Sequence, residues 1–179
     1  MPAESWVAGA RRIPSPNSDS RPSGSVISLV VLHSISLPRG VSGGDQIERL
    51  FTNRLDPAAH PAYADLAGVR VSSHFLIRRD GGLLQFVPLQ RRAWHAGVSN
   101  WRGRGRCNDY SVGIELEGTD DSDFGAAQYG CLSRLIRNLQ RVLPLREIAG
   151  HSDIAPGRKT DPGTRFDWPR MLAMLARAP

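Results

Sequence analysis

Lysine is almost missing from this chain. Its 179 residues carry 23 Lys and Arg side chains, and only Lys159 among them is a lysine. Codon bias can leave such a residue behind. A single Lys also suits a place that needs a compact, mobile ammonium instead of a planar fork. Cysteine is scarce as well. Cys107 and Cys131 lie far apart and form no CxxC pair, so a disulfide framework is not expected and two reduced thiols are. Long apolar runs are absent. The longest, residues 26–32, is interrupted by Ser28 and is far too short to cross a bilayer. Residues 1–25 lack the apolar core of a signal peptide, and a cytoplasmic location is therefore expected. No basic block is interleaved with aromatics. The formal net charge of +6 could in principle serve nucleic acid, an anionic membrane or an acidic small substrate. The arginines are scattered apart from Arg102, Arg104 and Arg106, which argues against nucleic acid.

What is present fits one globular domain. Hydrophobic residues make up 40% and charged residues 22%, near globular averages, so a core of ordinary size is expected. Residues 1–24, with Pro-Ser-Pro at 14–16 and Pro-Ser-Gly at 22–24, read as a flexible, loosely packed arm. Residues 25–179 read as the functional domain. Within it, 25–33 is a β-branched apolar run, a buried strand. Asp45 is a candidate cap for a helix carrying Ile47, Leu50 and Phe51. Segments 73–79 and 83–88 flank Asp80-Gly81-Gly82, a hairpin signal. Residues 93–109 have no periodicity and read as a functional loop. Residues 111–116 form a central strand. Residues 124–142 place Tyr129, Leu132, Leu135, Ile136 and Leu139 at helical steps. A short strand at 146–149, a loop at 150–165 and a helix at 166–177 capped by Asp167 complete the chain. The mixture predicts an α+β (mixed α/β) domain: one central mixed β-sheet flanked by helices.

Chemistry concentrates at three places. His33 ends the first strand, His151 follows a late strand, and Asp161 lies in the loop after it. Two imidazoles and a carboxylate are enough for a catalytic zinc, which uses three protein ligands and keeps a fourth position for water. The segment from His151 to Asp161 packs two candidate ligands and the single lysine into eleven residues held by Pro and Gly. Glu115 sits inside an apolar strand, sharing a face with Gly113 and Glu117. A carboxylate there costs free energy unless it is paired, for instance with an arginine, or functional. It is a candidate general base, and Lys159 a candidate oxyanion stabiliser.

Long blocks at 31–33, 56–61, 71–81, 92–99, 106–109, 113–120 and 154–163 carry a resemblance. They include Arg92-Ala93-Trp94-His95-Ala96-Gly97, Gly113-Ile114-Glu115-Leu116-Glu117-Gly118 and Pro156-Gly157-Arg158-Lys159-Thr160-Asp161-Pro162-Gly163. In order and spacing they resemble the AmpD family, the bacterial cytoplasmic anhydro-N-acetylmuramoyl-L-alanine amidases. The wider relatives are phage amidases and animal peptidoglycan recognition proteins. The resemblance covers residues 25 to 172. It implies zinc on His33, His151 and Asp161, catalytic roles for Glu115 and Lys159, and Trp94 at the sugar. It also implies Arg70 and Arg106 on the acidic groups of the stem peptide, a role that suits the arginine fork. One position departs: the family usually has Asn after the first histidine, and here Ser34 offers fewer bonds to substrate. The implied substrate is a soluble anhydro-muropeptide, met in peptidoglycan recycling by a monomer with no nucleic-acid or membrane partner. The same chemistry on intact peptidoglycan, as in phage amidases, and a non-catalytic binding module are the alternatives. Of the other histidines, His60 and His74 read as structural, and His95 as a candidate substrate contact.

Overall fold

Two apolar runs become adjacent strands, and the groups of chemical interest stand on one of their faces. The computed structural model describes residues 5–176. In chain order come β1 (Arg11–Arg12), β2 (Ser18–Ser20), β3 (Leu29–Ile35), α1 (Gln46–Phe51), β4 (Phe75–Ile77), β5 (Leu83–Gln85), β6 (Arg91–Ala93), β7 (Asn100–Trp101), β8 (Arg104–Gly105), β9 (Ser111–Glu117), α2 (Ala126–Gln140), β10 (Glu147–Gly150), α3 (His151–Ile154) and α4 (Trp168–Ala176). Short 3-10 turns cover Pro61–Leu66 and Cys107–Asp109.

The main sheet has the order β1-β5-β4-β9-β3-β10. Strands β4, β9, β3 and β10 run parallel, while β5 pairs antiparallel with β4 through the predicted hairpin. The sheet is mixed and flanked by helices, as the sequence pattern predicted. Alternation along the strands divides the core. Val30, Leu32, Val112, Ile114, Leu116, Phe75 and Ile77 face the apolar stripe of α2 and Met171 of α4. Each such side chain, fully buried, contributes about 1.5–3 kcal/mol. On the opposite face Leu76 packs with Ile47, Leu50 and Phe51 of α1, and Leu29 and Val31 pack with Ala149 and Ile154. Between these two smaller clusters the same face carries His33, Gly113 and Glu115.

Several local expectations change. Residues 5–24 are not a loosely packed arm. Strand β1 pairs with β5 and β2 with β6. Asn17 is buried and donates to Val71 O at 2.7 Å, and Arg21 donates to Asn108 O, Asp109 O and Ser111 O at 2.9–3.1 Å. Their bonds go to distant backbone carbonyls, which no local periodicity announces. Residues 1–4 of the expected arm lie outside the described residues. The 93–109 stretch is ordered by the β7–β8 hairpin and the Cys107–Asp109 turn. Asp45 precedes α1 but makes no side-chain cap bond; its carboxylate pairs with Arg49 at 2.8 Å instead. Asp167 does cap α4, accepting from Arg170 N at 2.9 Å. Both cysteines are free and buried. Among the described residues, no helix is long and apolar enough to cross a membrane.

Candidate metal centre and active site

Parallel strands deliver their C-terminal ends to one edge of a sheet, where ligands are commonly bound. Three of the candidate groups arrive that way. His33 lies near the end of β3 and stands opposite Glu115 of β9 in register. His151 follows Gly150, the last residue of β10. The Gly150 amide donates to Asp153 Oδ2 at 2.7 Å, and Ser152 N donates to Asp161 O at 2.9 Å. That backbone bond closes the loop and brings Asp161 back beside His151. Gly150 is needed for this closure, because a Cβ there would lie 2.8 Å from Pro162 Cδ.

The three side chains converge. His33 Nδ1 is 3.0 Å from His151 Nδ1 and 3.0 Å from Asp161 Oδ2, and His151 Nδ1 is 3.1 Å from Asp161 Oδ2. His151 Nε2 donates to Ala96 O at 3.1 Å, which leaves the lone pair of a neutral ring on Nδ1. Ligand atoms about 2.0–2.2 Å from a tetrahedral ion lie roughly 3.3–3.5 Å apart, and a modest outward shift of this triangle meets that spacing. Two imidazoles and one carboxylate in such a triangle are the donor set of a divalent cation with one position left open. Both histidines are buried, His33 at 2% exposure. Burial pulls the pKa of His33 down to about 4, favouring the neutral, ligating ring. Burial acts to raise Asp161, but hydrogen bonds with His151 and His33 outweigh it and hold this carboxyl well below the ordinary value.

Glu115 is 8% exposed, and its carboxylate forms no hydrogen bond or ion pair among the described residues. Among the described residues, no arginine pairs with it to make it merely structural. Burial, and then the charge of Asp161, push its pKa well above the usual carboxylate value, while Lys159 pulls it back. Lys159 likewise has no ion pair among the described residues. A cavity of about 240 Å³ exposes Glu115, His33, His151, Asp161 and Lys159 together, with Ser34 and Trp94 on its wall. A neighbouring polar cavity of about 390 Å³ shares Ser34, Lys159 and Asp161 and adds Arg39, Asp120 and Thr160.

Two predicted residues stand apart. Arg70 is exposed and does not line the cavity, although the next residue, Val71, does. Arg106 is 74% exposed in its side chain, pairs with Asp109 at 3.0 Å and does not line it either. Sequence reasoning also missed a supporting residue. Asn108 Oδ1 accepts from the backbone amides of His95 and Ala96 at 3.2 and 2.8 Å, fixing the wall beside Trp94. Its place among the quoted motifs was the only signal.

This geometry meets a family pattern: the profile described as Amidase_2, N-acetylmuramoyl-L-alanine amidase, matches residues 23–164. The chain belongs to this amidase family. It is 53% identical over 178 residues to the 1,6-anhydro-N-acetylmuramyl-L-alanine amidase AmpD of Salmonella typhimurium strain SL1344, covering 98% of this chain and 95% of that one. A crystal structure of a Se-Met AmpD derivative superposes with a TM-score of 0.93 at 51% identity, covering 98% of this chain and 99% of that chain. The amidase AmiD from E. coli, solved with the substrate anhydro-N-acetylmuramic acid-L-Ala-D-gamma-Glu-L-Lys, superposes with a TM-score of 0.60 at 30% identity. There the match covers 86% of this chain and 60% of that one. The amidase match and the three-donor triangle fall on the same residues, since His33, Glu115, His151, Lys159 and Asp161 all lie inside 23–164.

Proposed function

We propose that this amidase hydrolyses the amide between the lactyl group of an anhydro-N-acetylmuramic acid and the first L-alanine of a soluble muropeptide. His33, His151 and Asp161 hold zinc in this reading. The observation that carries it is the triangle of inward-facing donors beside an unpartnered Glu115 on one cavity wall. Zinc, when bound, supplies the charge that polarises the lactyl carbonyl and lowers the pKa of a water molecule. Glu115 accepts a proton from the attacking water as its oxygen bonds to the carbonyl carbon. Lys159 faces the carbonyl oxygen as negative charge develops there. As the carbon–nitrogen bond breaks, Glu115 returns the proton to the departing alanine amine. Trp94 offers a flat face to the sugar, and Ser34 a single hydroxyl at the cavity mouth. Arg70 and Arg106 stand outside the cavity, where they meet the carboxylates of the stem peptide.

The soluble fragment is favoured over intact wall because the AmpD likeness runs along 98% of the chain. The complete donor set argues against a binding-only module. The enzyme acts in this reading as a cytoplasmic monomer with no nucleic-acid or membrane partner. Many of its arginines are already ion-paired within the chain, as Arg78, Arg92 and Arg165 are.

Purified protein incubated with an anhydro-muropeptide tests this directly, with the free peptide and the anhydro sugar measured by mass spectrometry. Cleavage should stop on chelation and return with added zinc. Turnover that survives complete zinc removal would overturn the reading. Faster release from whole sacculi than from the soluble fragment would reassign the substrate.

A further inference from the structure

Beside His33 the cavity wall continues through His95 into a chain of side chains to which the hydrolysis above gives no role. His95 Nδ1 lies 2.9 Å from His33 Nε2, and His95 Nε2 lies 3.2 Å from Ser111 Oγ. The two rings meet edge to face with centroids 5.0 Å apart. Both nitrogens of His95 are therefore engaged by the chain, while the residue also lines the cavity beside Trp94.

The room for this ring comes from Gly113. A Cβ on Gly113 would lie 2.6–2.8 Å from three atoms of the His95 ring. Gly113 sits within β9, paired in register with Val31. Glycine weakens a strand interior and often marks a close approach. Backbone conformation does not call for it, since Gly113 is not among the glycines with positive φ. The ring's approach is what the missing side chain permits.

We propose that His95 is a positioning residue for the metal centre, and that Gly113 is the gap that lets it act. The proposal rests on His33 being a zinc ligand. A neutral imidazole carries one N–H, so an acceptor held at Nε2 puts the proton there and the lone pair on Nδ1. Nδ1 is the atom of His33 turned toward His151 and Asp161. For His95 Nδ1 to accept, the proton of a neutral His95 must sit on Nε2, where Ser111 Oγ at 3.2 Å is placed to accept it. The next residue does the same for the second histidine, because Ala96 O accepts from His151 Nε2. One dipeptide, His95-Ala96, thus sets the tautomer of both imidazoles.

Two measurements test it. The first is the 15N NMR signature of His33 in the metal-free wild-type protein, which should show the proton on Nε2; a proton on Nδ1 overturns the proposal. The second is zinc affinity, from competition with a chromophoric chelator, in variants shown by circular dichroism to be folded. His95→Phe keeps a ring over Gly113 but removes the acceptor, and should weaken zinc by about 10- to 100-fold. His95→Asn places an oxygen near the lost Nδ1 and should stay within about threefold of wild type. Gly113→Ala should push the ring away and weaken zinc by about tenfold, with both hydrogen-bonding groups intact. Wild-type affinity in His95→Phe, or equal losses in His95→Phe and His95→Asn, would end the proposal. If His33→Ala abolishes zinc binding while His95→Phe does not, the metal centre stands and only the role of His95 falls. A wild-type protein that takes up no zinc overturns both.

Discussion

Glu115 and Glu117 stand two residues apart on one face of β9, and the fold treats them in opposite ways. Glu117 is 1% exposed and fully engaged. It accepts from Arg78 Nη1 at 2.7 Å, from Arg79 N at 3.0 Å and from Gly43 N at 2.7 Å. Glu115 is nearly as buried, at 8%, yet its carboxylate has no hydrogen-bond partner among the described residues and opens onto the cavity. A buried charge is tolerated cheaply when every lone pair is met, and expensively when none is. Glu117 ties β9 to the loops around it. Glu115 carries a cost that only chemistry explains.

The largest effect should come from emptying the metal centre, which touches the surroundings of Glu115 and leaves Glu117 alone. Asp161→Ala should reduce muropeptide cleavage to background. Zinc at about 100 times its Kd should stabilise the wild type by about 2.7 kcal/mol and the variant by almost nothing. Calorimetry with and without zinc reads this, and equal stabilisation of the two proteins would remove Asp161 from the ligand set.

Next comes Glu115→Gln, expected to slow turnover by about 10²–10⁴-fold with zinc content unchanged. Its effect on stability has a definite sign. Burial raises the Glu115 pKa, so the metal-free folded protein keeps this proton to a higher pH than the unfolded chain does. The carboxylate therefore costs stability as pH rises above the unfolded value of 4.5. Glu115→Gln should leave the metal-free protein at least as stable at pH 7, by urea unfolding. Marked destabilisation would mean that Glu115 is structural after all.

Glu117→Gln should behave the other way. Losing half of a buried ion pair costs about 2–3 kcal/mol here, because Arg78 keeps a second partner in Glu48 at 2.7 Å. Turnover per folded molecule should stay within about twofold, since the lost bonds stabilise the fold and touch no reacting atom. A collapse of kcat in a folded Glu117→Gln protein would break the contrast between the two carboxylates. The smallest effect is expected at the cavity mouth. Ser34→Asn adds an amide donor and acceptor there and should lower KM by about two- to tenfold, the worth of one added hydrogen bond. An unchanged KM would show that Ser34 already makes the contact.

Much of this was legible along the chain. Strand alternation, the Asp80-Gly81-Gly82 turn and the stripe on α2 announced the sheet and its main covering helix. Glu115 was conspicuous because a charge inside an apolar strand asks for a reason. The arm before residue 25 was misread because its order comes from bonds to distant edges, such as Arg21 to Ser111 O. The second contact of His95 was hidden for a related cause: its partner in the site lies 62 residues away, and its space is a side chain that Gly113 does not have.

Sequence by itself determined which residues alternate, where turns fall and which side chains bring imidazole, carboxylate and ammonium to the molecule. These follow from local backbone preference and the period of two or 3.6 residues. Only the tertiary structure decided that two donors 118 and 128 positions beyond His33 would meet it and each other within 3.1 Å, and that Glu115 would go unpaired while Glu117 did not. Strand register and loop closure set such distances, and both are properties of the packed sheet that no short stretch of chain contains.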